Sequence, residues 1–384
     1  MTFKAGGVAR RMFSEERTLF ISRKAGVSDL SSLIGCVKEC GFDETSYLTA
    51  NVDLQTAGLD PASALFHFLA YGVDEHRDVP GGTLADGLAG LTALPMADQA
   101  YAIRLFRNLF FGQLENPCTA ERLWHAVDGG LIESIRAMGG VPYFIIGDSH
   151  TTSYRRQSSN GTEWLAPLPL LCHGGSAIRL AGDDARSMHG REILRWARTT
   201  ESLPFKFDVP VFLKFGGIDA EFLWVRRRIR KGAYRFSLDE FDAFARESIS
   251  RYGLFLDALG SIVDPKLLRV CSVFPSALVE ARWAERFLAA HRGTPENDRH
   301  LAAELLKTEI PDLTTRNRLR ALYNSHLRCL CEGRGLEFVD DFPPFLDSNG
   351  STGHRFLASL GDHHLNYDAC ETSLVKIIWR HLPH

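Results

Sequence analysis

Four apolar residues, Tyr143-Phe144-Ile145-Ile146, run without a polar break into Gly147-Asp148-Ser149-His150-Thr151. A short continuous apolar run bounded by a turn signal predicts a strand buried on both faces. Gly147 permits a sharp turn, and the small polar residues after it suit a helix N-terminus. The pattern recurs at 209–215, which runs into Gly216-Gly217-Ile218-Asp219, at 267–273 before Phe274-Pro275, and at 336–340. Between these runs the apolar residues fall at helical spacing. Helices are predicted over 183–200, over 237–260 with Phe241, Phe244, Ile249, Tyr252, Leu256 and Leu259 on one face, over 278–292, 299–307 and 314–332, and from Tyr367 to His381. Such alternation predicts an α/β fold, a three-layer mostly parallel sheet with helices on both faces. Ser149 would then stand at the C-terminal edge of the sheet, where ligands bind. Taken alone it is equally a helix N-cap.

The N-terminal part reads differently. Residues 1–30 are polar and mixed and suit a flexible arm or a short helix. Residues 31–80 form a small helical module, in which the strings 47–54 and 61–72 read as two short amphipathic helices. Gly58 stops the first, Asp60 caps the second, and Pro61 suits its first position. Val79-Pro80-Gly81-Gly82-Thr83 marks a linker. Residues 81–138 read as a helical bridge, with Tyr101, Ile103, Leu105, Phe106, Leu109 and Phe110 at helical spacings, a break at Pro117 and a cap at Thr119. The α/β domain then occupies 139–384. Within it 153–163 is a polar loop, 164–171 a strand or an irregular approach, and His173-Gly174-Gly175-Ser176-Ala177 a tight turn.

Composition narrows the classes. With 45% hydrophobic and 24% charged residues the chain is an ordinary folded protein. A net charge of −3 argues against wholesale nucleic-acid binding. No apolar segment follows Arg10-Arg11 as in a secretory signal, and no run reaches the ~18 apolar residues of a membrane span. A cytoplasmic protein is expected. The eight cysteines lack the spacing of a disulfide framework or of a zinc site, so buried free thiols are expected.

Together, Gly147-Asp148-Ser149, Phe215-Gly216-Gly217-Ile218-Asp219 and Gly361-Asp362-His363-His364-Leu365-Asn366 resemble the SGNH (GDSL-type) hydrolase superfamily. The resemblance covers about 140–384. It implies a flavodoxin-like sheet, Ser149 as nucleophile and His364 as its base. It also implies oxyanion or substrate contacts at Gly175, at Gly217 and at Asp219, and it requires no cofactor or metal. The chain departs from the family at two points. Position 361 is Gly where the family carries its catalytic Asp, so the carboxylate is Asp362 or else Asp340 or Asp341, or His364 works without one. Asp219 stands where many members have an oxyanion-binding Asn. An ionised Asp would repel an oxyanion, which leaves that role to a backbone N–H.

Residues 47–77 are similar to a helical module found beside bacterial glycosyltransferases and other polysaccharide enzymes. Val52 replaces its usual Pro, and His76-Arg77 its Gly-Arg. This resemblance implies a glycan context; the module is equally a docking hairpin for a partner.

A serine hydroxyl needs a positioned base near neutral pH. His364, with Asp362 two residues before it, supplies one. If 362–364 is extended, Asp362 and His364 face one side and His363 the other. The expected activity is a serine-dependent ester hydrolase or O-acyltransferase acting on an acyl group, an acetyl above all, of a glycan. Two other readings use the same residues. One is a catalytically degraded glycan-binding or scaffold protein. The other is a two-metal phosphoesterase opening on Asp148-x-His150, with Asp219, His363 and His364 as further ligands. The basic run 226–231, five cations in six residues, suggests a patch at Arg227 and Arg228 for an anionic substrate; a solvated helix face is the simpler reading.

Overall fold

The computed structural model describes residues 6–75, 77–79, 85–115, 130–155, 159–160, 163–181, 188–201, 203, 206–230, 236–280, 282–283, 286–287, 310–359 and 362–383. The expected linker at 80–83, the break at Pro117, the cap at Thr119 and most of the two helices expected over 278–307 lie outside these residues. The chain divides into two compact units, Met1–Pro142 with Gln157–Leu168, and Tyr143–Arg156 with Pro169–His384.

The first unit is mainly helical. Gly6–Ala25 is a helix, in the stretch that suits an arm or a short helix. Leu30–Glu39 follows, its first turn capped by the Asp29 carboxylate, which accepts from the Ser31 and Ser32 N–H groups. Residues 47–54 are not one helix. They divide between Glu44–Ala50 and Val52–Thr56. The reason is Asn51, a buried residue whose side-chain amide donates to the carbonyls of Tyr47 and Asp78, both at 2.8 Å. A side chain that bonds the backbone in this way competes with helix continuation. Gly58 turns the chain at φ +79°, a conformation open to glycine at little cost. Asp60 then caps Pro61–His67, with Pro61 at the first position.

Arg77 ties the module's end back to its start through Asp53 and Glu75. Glu16, Arg17, Phe20, Ser63, His67 and Tyr71 border a cavity of about 330 Å³. Helices Gln99–Glu115 and Leu131–Ala137 cover Trp164 of the short hairpin β2 (Ser159–Asn160) and β3 (Glu163–Leu171). The ring of Trp164 lies 5.4 Å from that of Phe110, and its indole N–H donates to Met138 O at 2.8 Å.

The chain's α/β part has a five-strand parallel sheet flanked by helices. The strand order is β3-β1-β4-β5-β6, where β1 is Gly140–Gly147, β4 Val211–Lys214, β5 Leu268–Cys271 and β6 Glu337–Val339. Tyr143 through Ile146 and Val211 through Leu213 are wholly buried, as strands covered on both faces must be. Ile146 pairs with Leu213, Leu213 with Val270, and Cys271 with Val339. That register puts the C-terminal ends of β1, β4 and β5 at one edge.

The helix Leu238–Gly260 buries all six apolar residues its spacing singled out. Ser237 caps it, and Asp239 and Glu240 complement the positive end of its dipole. Asp312 caps Leu313–Arg334, which Gly335 ends at φ +64°. Asn366 caps Tyr367–Arg380. No helix among the described residues is long and apolar enough to cross a membrane.

Candidate active site

β1 delivers the serine. Gly147 is obligatory at the strand end, since a Cβ there would lie 2.1 Å from Lys214 O. Asp148 then caps a two-turn 3-10 helix, Ser149–Tyr154, and its own N–H donates to Lys214 O at 3.1 Å. Ser149 is partly exposed, between buried Asp148 and buried His150.

The last block comes to it from the other end of the chain. Leu357 and Leu365 form a bridge, the Asn366 N–H donates to Phe356 O at 2.8 Å, and Leu365 is buried. These contacts anchor residues 362–364 across the C-terminal edge of the sheet. The Ser149 hydroxyl lies 2.7 Å from His364 Nε2, and His364 Nδ1 lies 2.7 Å from Asp362 Oδ1. Oδ1 also accepts the His364 backbone N–H at 3.0 Å.

A carboxylate only accepts, so Nδ1 carries the imidazole proton and Nε2 is left to accept from Ser149. Hydrogen bonding from His364, more than any other influence, holds the Asp362 carboxyl well below the usual range. The alternative carboxylates are engaged elsewhere. Asp340 pairs with Arg328. Asp341 is wholly buried and receives Lys214 Nζ at 2.9 and 2.7 Å, as well as the hydroxyls of Ser272 and Tyr154.

His363 does not face away from the site. The segment bends at 363 and 364 instead of running extended, so side-chain alternation fails. The His363 ring lies 3.9 Å from that of His364, centroid to centroid, and 5.8 Å from that of His150. Burial first, then the neighbouring His364, pulls its pKa down to about 2, so it is neutral.

Two residues missed as parts of the site belong to its support. His150 donates from its backbone N–H and its ring to Asp148 Oδ1, at 3.0 and 2.8 Å. Burial lowers its pKa against the pull of Asp148, and its ring stands 5.2 Å from that of His364. Lys214, on β4, joins Asp341 to Ser272 O, while the Tyr154 hydroxyl reaches Asp341 from the end of the serine turn. Burial pulls Lys214 down to about 7 and pushes the Asp341 carboxyl up. A lone lysine inside the apolar run 211–215 was the available signal.

The residues expected to contact an oxyanion or an anion have neighbours within the protein. The Gly175 N–H donates to Cys172 O at 2.8 Å and closes its own turn. Gly217 packs against the Asp148–His150 pair, and a Cβ there would lie 3.1 Å from Asp148 Oδ2. Asp219 faces inward, wholly buried. Its carboxylate accepts the N–H groups of Ala177 and Ile178 at 2.8 and 3.1 Å and the Ser248 hydroxyl at 3.0 Å. Burial pushes its pKa up to about 6, opposed by those bonds.

Within the basic run, Arg227 and Arg228 have protein neighbours. Arg227 pairs with Glu247; Arg228 is buried over Trp224, with Glu240 at 3.7 Å. Of the ligands a two-metal site would need, Asp148 and Asp219 are turned to protein donors. Among the described residues His363 and His364 instead converge with Asp362. The seven described cysteines are free.

Among solved structures the chain is similar to a protein described as a platelet activating factor from Streptococcus pneumonia. The match has 14% identity and a TM-score of 0.36, over 74% of this chain and 99% of that one. It is also similar to a protein described as an acylhydrolase from Bacteroides fragilis, at 11% identity and a TM-score of 0.32, over 63% of this chain and 88% of that one. No family model matches, and no curated protein does.

Proposed function

We propose that the protein is a serine-dependent ester hydrolase or O-acyltransferase of SGNH type. The observation that carries the reading is the unbroken line from Asp362 through His364 to Ser149, with both contacts at 2.7 Å. In this reading Ser149 Oγ attacks the acyl carbonyl while its proton passes to His364 Nε2. The imidazolium, steadied by the ionised Asp362, returns that proton to the departing alcohol as the tetrahedral intermediate collapses to an acyl-serine. Water or a second hydroxyl then attacks the acyl-serine, and the identity of that nucleophile decides between hydrolysis and transfer. Such a line also favours an intact catalyst over a degraded scaffold.

A glycan is the proposed carrier of the acyl group, an acetyl above all. The support is the pattern of residues 47–77 and the aromatic border of the 330 Å³ cavity in that unit, where Phe20 and Tyr71 lie 5.9 Å apart.

A serine-directed fluorophosphonate tests the chemistry. The chain should label at Ser149, and Ser149→Ala should abolish labelling and lower ester turnover by several orders of magnitude with the fold intact. Labelling that persists in Ser149→Ala excludes the mechanism. For the glycan reading, Tyr71→Ala should raise KM for an acetylated polysaccharide and leave KM for a small aryl acetate unchanged; equal effects on both would remove it.

A further inference from the structure

We propose that Asp362, His363 and His364 form a zinc site that switches the serine off. The inhibitory half of this inference rests on the hydrolase reading above; the metal-binding half does not. Each of the three residues offers one ligand atom, and those atoms all lie within 4.8 Å of one another. Asp362 Oδ1 is 2.7 Å from His364 Nδ1 and 3.7 Å from His363 Nδ1. Ligand atoms about 2.0–2.2 Å from a shared tetrahedral zinc stand at separations of this order.

The second observation is the state of His363. Its Nδ1 is buried and has no hydrogen-bond partner among the described residues. A buried polar atom left unmet is costly, and a metal ion would satisfy it. Two imidazoles with one carboxylate is a donor set that suits zinc, and three protein ligands leave the fourth position to water. Magnesium, which demands octahedral oxygen coordination, is a poor match for it.

The consequence for Ser149 follows from the tautomer. At present His364 holds its proton on Nδ1, toward Asp362, and keeps Nε2 free to accept. Zinc on Nδ1 takes that lone pair, and the single proton of the neutral imidazole moves to Nε2. An Nε2–H cannot accept a proton from Ser149, and the carboxylate that steadied the imidazolium is now a metal ligand. The serine is left intact but without a base. The device is reversible, since removing the metal returns the proton to Nδ1.

The test uses the untagged full chain. Zinc chloride is titrated by calorimetry into the wild type, His363→Gln and Asp362→Asn, with magnesium chloride as the control metal and circular dichroism to verify the fold. Fluorophosphonate labelling is followed over the same zinc range, each protein normalised to its own zinc-free rate. We expect one zinc per chain in the wild type, weakened at least about tenfold in either variant, a loss no smaller than that seen for groups merely supporting a ligand. Labelling of the wild type should fall with the same midpoint, recover with a chelator and ignore magnesium. Absence of zinc binding overturns the proposal, as does affinity unchanged in both variants. So does labelling that stays constant while the site fills. Should zinc bind through His363 in a chain that never labels, the metal site stands and the serine reading falls. Should the chain label normally and bind no zinc, the reverse holds.

Discussion

At the scale of single residues, the site turns on which carboxylate serves His364. Asp362 holds its Nδ1 at 2.7 Å, whereas Asp340 and Asp341 are held by Arg328 and Lys214. Asp362→Asn should therefore cost a large part of kcat, up to the ~10⁴ seen when a triad loses its carboxylate. Asp340→Asn should be silent in the same ester assay. His364→Ala should nearly abolish turnover and His363→Ala should cost less, since His363 meets neither Ser149 nor its proton.

Asp362 also sets a pH dependence. Its folded pKa lies below the unfolded value near ~3.9, so the contribution of its ionised form to stability is present above that value and is lost as pH falls below it. Chemical denaturation between pH 3 and pH 7 should show a smaller acid loss in Asp362→Asn than in the wild type; equal losses would mean that the bond to His364 contributes nothing to the fold.

At the scale of elements, two buried carboxylates lock the sheet edge from which the serine turn projects. Asp219 joins the end of β4 to the 177–179 turn and, through Ser248 and the Tyr323 hydroxyl, to the helices Leu238–Gly260 and Leu313–Arg334. Asp219→Asn keeps the shape but turns an N–H₂ toward a backbone N–H, and should cost about 1–3 kcal/mol in a urea titration. Its raised pKa carries the opposite sign to that of Asp362. The fold binds the extra proton, so this contribution is complete below about pH 4 and is lost as pH rises to about 6. The variant should lack that decline.

Asp341 is more consequential, because removing it leaves the buried Lys214 Nζ without its carboxylate partner. Asp341→Ala should destabilise by about 3–5 kcal/mol. It should also loosen the far end of the serine turn, where the Tyr154 hydroxyl loses its acceptor.

At the scale of the whole molecule, the two units interleave along the chain. Residues 157–168 belong with the N-terminal unit although they follow Ser149 in sequence. A chain begun at residue 139 thus keeps Trp164 but loses Phe106, Phe110, Phe111 and the Met138 carbonyl, its neighbours. Trp164 is 1% exposed in the full chain. Uncovering it should cost several kcal/mol, as deletion of a large core aromatic contact does, at about 3–5. A thermal melt well below that of the full chain is expected; equal melting points would show that the N-terminal residues do not support this strand.

Local pattern alone was enough for the parallel strands, for the cap at Asp60 and for the buried face of Leu238–Gly260, because each depends on residues a few positions apart. The chemical types at positions 149, 362 and 364 were legible in the same way. Their meeting was implied by the family resemblance and by nothing in their spacing. Ser149 and His364 are 215 residues apart, and only the strand register and the Leu357–Leu365 bridge bring them to 2.7 Å. Tertiary structure likewise decided the direction of side chains that sequence leaves free to turn. Asp219 turned inward because three donors waited there, Arg227 and Arg228 met Glu247 and Glu240, and the bend at 363 folded His363 in beside His364. Periodicity reports which face of an element is apolar, and it carries no information about which distant polar group that face will meet.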